Sequence, residues 1–303
     1  MTAAAPPRPS TFQAWKLATR LPTLTAAVSP VAVGTGVAVH LDVFDLLPVL
    51  AALTGALLLQ VGANFANDVF DFNKGADTTE RLGPPRATQM GFVSARQMLT
   101  GMWVTFALAM AVGVYLVYVG GWPIVAVGLA SIAAAVIYTG GPWPIGYHAL
   151  GDLFVFVFFG LVAVVGTYYV QAGDTTGLAI AAAVPVGCTV TQILVVNNLR
   201  DIPTDRRTGK ITLGVILGDR GTRVWFVILL VVALVVPAGI SFFSSAEWAW
   251  AAAPASLPWA VKPFRAVIAG VEGRALNPVL KATARYNLVL GLLLALAIAV
   301  SAK

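Results

Sequence analysis

Long apolar runs alternate with short polar clusters along this chain, and the runs have membrane-spanning length. Nine can be traced, at residues 23–40, 45–66, 98–119, 121–139, 151–171, 177–197, 223–243, 246–268 and 284–301. A helix needs about 20 apolar residues to cross the hydrocarbon layer. The pattern therefore predicts an all-α, polytopic membrane protein with about nine transmembrane helices around a central cavity. The eighth run is the weakest, because Pro254, Pro258 and Lys262 interrupt it.

Two runs end in acidic clusters, Asn64-Phe-Ala-Asn67-Asp68-Val-Phe-Asp71 and Asn197-Asn198-Leu-Arg200-Asp201-Ile-Pro-Thr-Asp205. Residues three and four apart share a helix face, so Asn64, Asp68 and Asp71 are expected to form one stripe and Asn197, Asp201 and Asp205 another. Pro203 is poorly suited to a helix interior and leaves the second stripe less regular. Carboxylates closing membrane-length runs are costly unless paired, hydrated or metal-bound, which marks both clusters as functional. The repetition is one of site, Asn-x-x-x-Asp followed by a basic loop, with no wider sequence repeat.

Composition and charge then fix the setting. The 303 residues are 58% hydrophobic and 11% charged, whereas charged residues make up about a quarter of soluble proteins. Positive charges collect in alternate loops: Lys16 and Arg20 before the first run, Lys74 to Arg96 after the second, Arg200 to Arg223 after the sixth, Lys262 to Arg285 after the eighth. With nine spans these loops share one side, which the positive-inside rule makes cytoplasmic. The expectation is a multi-pass protein of the cell membrane with the N-terminus and both acidic clusters at the cytoplasmic face. Topology explains most of the net charge of +6, so no nucleic-acid partner is expected.

Other features add less. A cleaved signal peptide within residues 16–40 fits the alternation less well than a first span. Residues 1–12, with Pro6, Pro7 and Pro9, are expected to form a mobile tail before a single transmembrane domain over 13–303. The lone Cys188 excludes an intrachain disulfide and a cysteine-rich metal site, and reads as a small buried residue.

Hard oxygen donors without His or Cys favour Mg²⁺, which binds through one or two carboxylates together with waters and substrate phosphates. Asp68, Asp71, Asp201 and Asp205 are the metal candidates, with amide oxygens such as that of Asn64 beside them. Lys74, Arg86, Arg200, Arg206, Arg207 and Lys210 lie close enough in sequence to contact phosphate. Acids and bases interleaved at the end of apolar helices point to a diphosphate with an apolar tail. A secondary transporter also places carboxylates at helix breaks, but near the bilayer midplane.

Asn67-Asp68-Val-Phe-Asp71-Phe-Asn-Lys-Gly75-Ala-Asp77 and Asp201-Ile-Pro-Thr-Asp205-Arg-Arg-Thr-Gly209-Lys210 resemble the paired Asp-rich motifs of the UbiA superfamily of intramembrane prenyltransferases. Three further stretches are similar to its MenA branch, the 1,4-dihydroxy-2-naphthoate polyprenyltransferases of menaquinone synthesis. They are Asp77-Thr-Thr-Glu80-Arg81-Leu-Gly-Pro84-Pro85-Arg86, Tyr138-Thr-Gly-Gly-Pro142-Trp-Pro-Ile-Gly-Tyr147, and Gly151-Asp152 through Gln171. The resemblance covers about residues 12–220; the last third carries no diagnostic motif. Gly75 stands where many relatives have an Asp, which leaves a metal role for Asp77 open, and Arg20-Leu21-Pro22 lacks a lysine usual in the family.

The resemblance implies the following roles. Mg²⁺ is held by Asn64, Asp68, Asp71, Asp201 and Asp205; the diphosphate is bound by Asn67, Lys74, Arg86, Asn197, Arg200 and Lys210; the acceptor is bound by Tyr138, Tyr147, His148 and Asp152. The catalytic set comprises Asp68, Asp71, Asp201, Asp205, Lys210 and Tyr138. The reaction joins polyprenyl diphosphate to 1,4-dihydroxy-2-naphthoate at the lipid bilayer, with loss of CO₂ and diphosphate, giving demethylmenaquinone. Relatives with other aromatic acceptors, such as 4-hydroxybenzoate, homogentisate or haem, remain an alternative.

Overall fold

The computed structural model describes residues 9–76 and 81–301, so Asp77 and Glu80 and most of the expected tail lie outside the described residues. Helix α1 (Thr11–Thr19) opens on a reciprocal cap between Ser10 and Gln13, which satisfies donors that a helix start otherwise leaves bare. It begins two residues inside the expected tail and ends at Arg20, whose φ of 51° turns the chain sharply. Then follow α2 (Thr25–His40), α3 (Leu46–Asn73), α4 (Ala95–Gly120) and α5 (Trp122–Ile137). Next, α6 (Gly151–Val155) runs through a π-helical turn (Phe156–Val162) into α7 (Ala163–Ala172). The bundle is completed by α8 (Gly177–Arg207), α9 (Leu213–Phe243), α10 (Ala252–Ile268) and α11 (Leu276–Ala299).

The chain is all-helical; among the described residues the only extended pairing is one bridge between His148 and Ile211. Every apolar run contains a helix, and among the described residues seven helical stretches are long and apolar enough to cross a membrane. The other two expected spans coincide with shorter helices: α5 has 16 residues and α10 has 17, with Pro258 and Pro263 inside it. Pro203, by contrast, lies inside α8, which continues to Arg207. Nearby carbonyls find side-chain donors there, Thr204 Oγ1 to Asp201 and Arg207 Nε to Pro203. The second acidic cluster is therefore helical after all.

Two cores hold the bundle. The larger joins α2, α7, α8, α9, α10 and α11 through Val33, Leu199, Phe226 and Leu290, with Cys188 buried among them. The smaller joins α1, α3 and α4 through Phe65, Met98, Met102 and Phe106. Lipid tails are as apolar as leucine, so helices in a membrane associate by close packing of small residues and by buried polar pairs. Both devices are present. A Cβ on Gly160 would lie 2.6 Å from the Gly187 Cα, so the π-turn crosses α8 backbone on backbone. Thr189 donates to Asn287 Oδ1 at 2.8 Å, and Ser29 to the Asn287 carbonyl at 3.1 Å, pinning α2, α8 and α11.

Candidate active site

A cavity of about 1170 Å³ passes between the helices. Its wall on α3 runs from Ala52 to Asp71, about 28 Å at the helical rise of 1.5 Å per residue. The apolar part of the cavity is lined by residues such as Leu59, Val117, Ile124 and Phe158. The polar residues collect at the end formed by the last turns of α3 and α8. Met110, Val114, Val127 and Leu129 line the cavity and are also exposed on the outer surface, so the wall is open sideways along α4 and α5.

On α3 the cavity meets Asn64, Asn67 and Asp71, spaced so that successive turns present them. Asp71 accepts from Tyr147 Oη at 2.8 Å and pairs with Arg86 at 2.7 Å. Arg86 also donates to the Asn67 carbonyl, and Thr139 donates to Asn67 Oδ1 at 3.0 Å. Asp68, expected among the metal ligands, is placed differently from Asp71. It is fully buried, does not line the cavity, and its two oxygens accept from the Ala87 and Thr88 amides at 3.2 and 3.1 Å. Its carboxylate fastens the loop that carries Arg86. Asn64 is similarly occupied, donating to the Thr19 carbonyl and Thr23 Oγ1, both at 2.9 Å, and so holds the turn at Arg20.

On α8 the cavity meets Asn197, Asp201, Thr204 and Asp205. Arg200, although buried, reaches the same wall, with Nε and Nη2 on the two oxygens of Asp201 at 2.8 and 2.6 Å and Nη2 on Asn197 Oδ1 at 2.7 Å. Lys210 is placed by the short bridge, in which Ile211 donates to the Tyr147 carbonyl and Ala149 to the Ile211 carbonyl. This sets the Lys210 ammonium 5.2 Å from the Tyr147 ring centre, with Lys74 5.1 Å from it, both within cation–π range. Lys74 itself donates to the Gly141 carbonyl and does not line the cavity. Neither do Arg206 and Arg207.

The expected acceptor residues are divided by the fold. Tyr138 lines the cavity, whereas Tyr147, His148 and Asp152 do not. Tyr147 stands behind Asp71; His148 stacks on Trp143 with ring centres 4.1 Å apart and bonds the Pro144 carbonyl; Asp152 accepts from Trp225 Nε1 at 3.1 Å. Tyr138 caps the C-terminal end of α5, and its hydroxyl would lie 2.8 Å from a Cβ added at Gly151, so the start of α6 is fitted around the phenol.

The donor set fits a hard divalent cation. Asp71, Asp201 and Asp205 offer oxygen alone, and Asp205 Oδ2 is buried without a hydrogen-bond partner. Among the described residues no three carboxylates, His or Cys stand close enough to hold one ion. Each ion would thus take one or two carboxylates and complete its shell with water and phosphate, as Mg²⁺ does. Sequence reasoning missed Asn277, whose Oδ1 accepts from Arg200 Nη1 at 2.8 Å; it sits in the third of the chain that has no motif.

A helical bundle around a long cavity, largely apolar and polar at one end, suits a substrate with an apolar tail and a charged head, and the family match makes the class that of the intramembrane prenyltransferases. The UbiA prenyltransferase family model matches residues 27–289, and the chain belongs to that family. It is 40% identical over 291 residues to the 1,4-dihydroxy-2-naphthoate octaprenyltransferase of Mycobacterium tuberculosis, covering 96% of this chain and 98% of the relative. The Escherichia coli enzyme of the same name is 38% identical, covering 96% and 97%. Among solved structures, a UbiA homolog from Archaeoglobus fulgidus bound to GPP and Mg²⁺ has a TM-score of 0.66 at 12% identity, covering 93% of this chain and 99% of that one.

Proposed function

We propose that this chain transfers a polyprenyl group from polyprenyl diphosphate to 1,4-dihydroxy-2-naphthoate with Mg²⁺, releasing CO₂ and diphosphate and giving demethylmenaquinol, the reduced form of demethylmenaquinone. The observation that carries the reading is the cavity itself: long, with mostly apolar walls, and lined at one end by Asp71, Asp201, Asp205 and Lys210. Such a shape accepts a lipid whose only polar part is its head. The identity of the acceptor rests on the relatives, and the orientation, with the polar end at the cytoplasmic face, on the charge pattern of the loops.

Mg²⁺ at Asp71, Asp201 and Asp205 would offset the charge that develops on the departing diphosphate. Lys210 places a point charge beside the same oxygens. Tyr147 and Arg86 orient Asp71, and Arg200 orients Asp201, so the donors are arranged before the substrate enters. Ionisation of the allylic C–O bond leaves a cation that water would capture, and the apolar walls beyond Tyr138 keep water out. The acceptor ring attacks that carbon from the side of Tyr138, whose phenol is a hydrogen-bond donor and whose face suits a cation. A transporter reading gains nothing from this arrangement, because the carboxylates stand at one end of the cavity.

Purified protein in lipid, with Mg²⁺ and a polyprenyl diphosphate, is to be offered dihydroxynaphthoate, 4-hydroxybenzoate and homogentisate in turn. Diphosphate release with a prenylated naphthoquinone only from the first acceptor is expected. Turnover only with another acceptor would overturn the assignment, and chelation must abolish activity reversibly.

A further inference from the structure

Among the described residues Arg200 heads the large side chains that are fully buried, at 1% exposure. Two of its nitrogens hold Asp201, and the third, Nη1, is held by Asn277 from the start of α11. Asn277 does not stop there: its Nδ2 donates to the Leu82 carbonyl at 3.0 Å. Nearby, Arg274 Nη2 reaches the Arg81 carbonyl at 3.4 Å. Leu82 belongs to the segment leading to Arg86, and Arg81, Leu82, Pro84, Pro85, Arg86 and Asn277 all line the cavity. One amide thus joins the loop after the first acidic cluster to the arginine that aims the second.

We propose that Asn277 is a positioning residue of the diphosphate site, acting on Asp201 through Arg200 and on the cavity's polar wall through Leu82. An amide suits the place because it accepts at one end and donates at the other, and both ends are used. Gly83 confirms how closely the loop fits: a Cβ there would lie 2.8 Å from Arg200 Nη2 and 3.0 Å from its Cζ. The neighbouring loop is therefore shaped around the guanidinium, and Gly83→Ala should disturb Arg200 at Nη2 and Cζ, with Asn277 left in place. The inference rests on the proposed reaction and gives α11, where no motif was recognised, a part in it.

The test compares Asn277→Ala, Asn277→Asp and Gly83→Ala with the parent in lipid. Loss of a group behind a metal ligand typically weakens metal binding about 10–100-fold. Asn277→Ala is expected to raise the Mg²⁺ concentration for half-maximal rate and the KM for polyprenyl diphosphate by about that factor, with the acceptor KM unchanged. Asn277→Asp keeps the acceptor for Arg200 and loses the donor to Leu82, so it should recover most of the Mg²⁺ response. Gly83→Ala should resemble Asn277→Ala. Amide hydrogen exchange of residues 81–88, read without turnover, should speed up in Asn277→Ala and Asn277→Asp. A fall in kcat with unchanged Mg²⁺ and diphosphate dependence, or unchanged exchange in both Asn277 variants, would overturn the inference. A parent inactive with every acceptor would instead overturn the proposed reaction, leaving the exchange result to decide the role of Asn277.

Discussion

Tyr147 donates its hydroxyl hydrogen to Asp71 at 2.8 Å while its ring lies about equally far from Lys74 and Lys210, at 5.1 and 5.2 Å. One side chain therefore orients a carboxylate at its tip and gathers two cations about its ring. Tyr147→Phe removes the first function and leaves the second. A hydrogen bond to a charged group contributes about 1.5–3 kcal/mol, so kcat/KM for polyprenyl diphosphate is expected to fall about 10- to 100-fold. Tyr147→Ala should fall further, because Lys210 also loses its platform. Steady-state kinetics of the two variants distinguish these contributions.

The two acids of the first cluster should fail differently. Asp71→Ala removes a cavity-facing carboxylate and should abolish turnover. Asp68→Ala leaves two buried amides without acceptors, at about 1–3 kcal/mol each, and should lower the melting temperature in detergent as well as the rate. Equal thermal stability of Asp68→Ala and the parent would remove Asp68 from its role as a fastener.

Packing at the π-turn predicts a stability effect far from the chemistry. The Gly187 Cβ position is 2.8 Å from Phe156 carbons and 3.3 Å from the Gly160 Cα. Overpacking costs about 1–3 kcal/mol, and backbone contact leaves little room for adjustment. Gly187→Val is expected to reduce the yield of folded protein and its melting temperature, read by size-exclusion chromatography and thermal unfolding.

How much of this was legible depends on whether a residue's partners are near it in sequence. The spans follow from apolar length, and Asp71, Asp201 and Asp205 follow from helical spacing at the ends of runs. The assignment of Asp68 does not, because its partners are the backbone amides of Ala87 and Thr88, which no side-chain pattern reports. Asn277 is 195 residues from Leu82 and lies in an otherwise apolar helix, so periodicity gives it no distinction. His148 and Asp152 adjoin a recognisable motif, yet the fold points them at Trp143 and Trp225. Proximity in a motif locates a wall of the site without saying which side chains face inward. The span count is less legible for a related reason, since α5 and α10 are shorter than the apolar runs that contain them.

The sideways opening along α4 and α5, where Val114 and Leu129 belong to both the cavity and the outer surface, makes the bilayer the solvent of the reaction. A long prenyl chain can slide in from the leaflet and leave the same way after joining the ring, without its hydrocarbon ever passing through water. The effective concentration of donor is then its mole fraction among lipids. Diluting a fixed amount of enzyme and donor with inert phospholipid should slow the reaction, though nothing in the aqueous phase has changed.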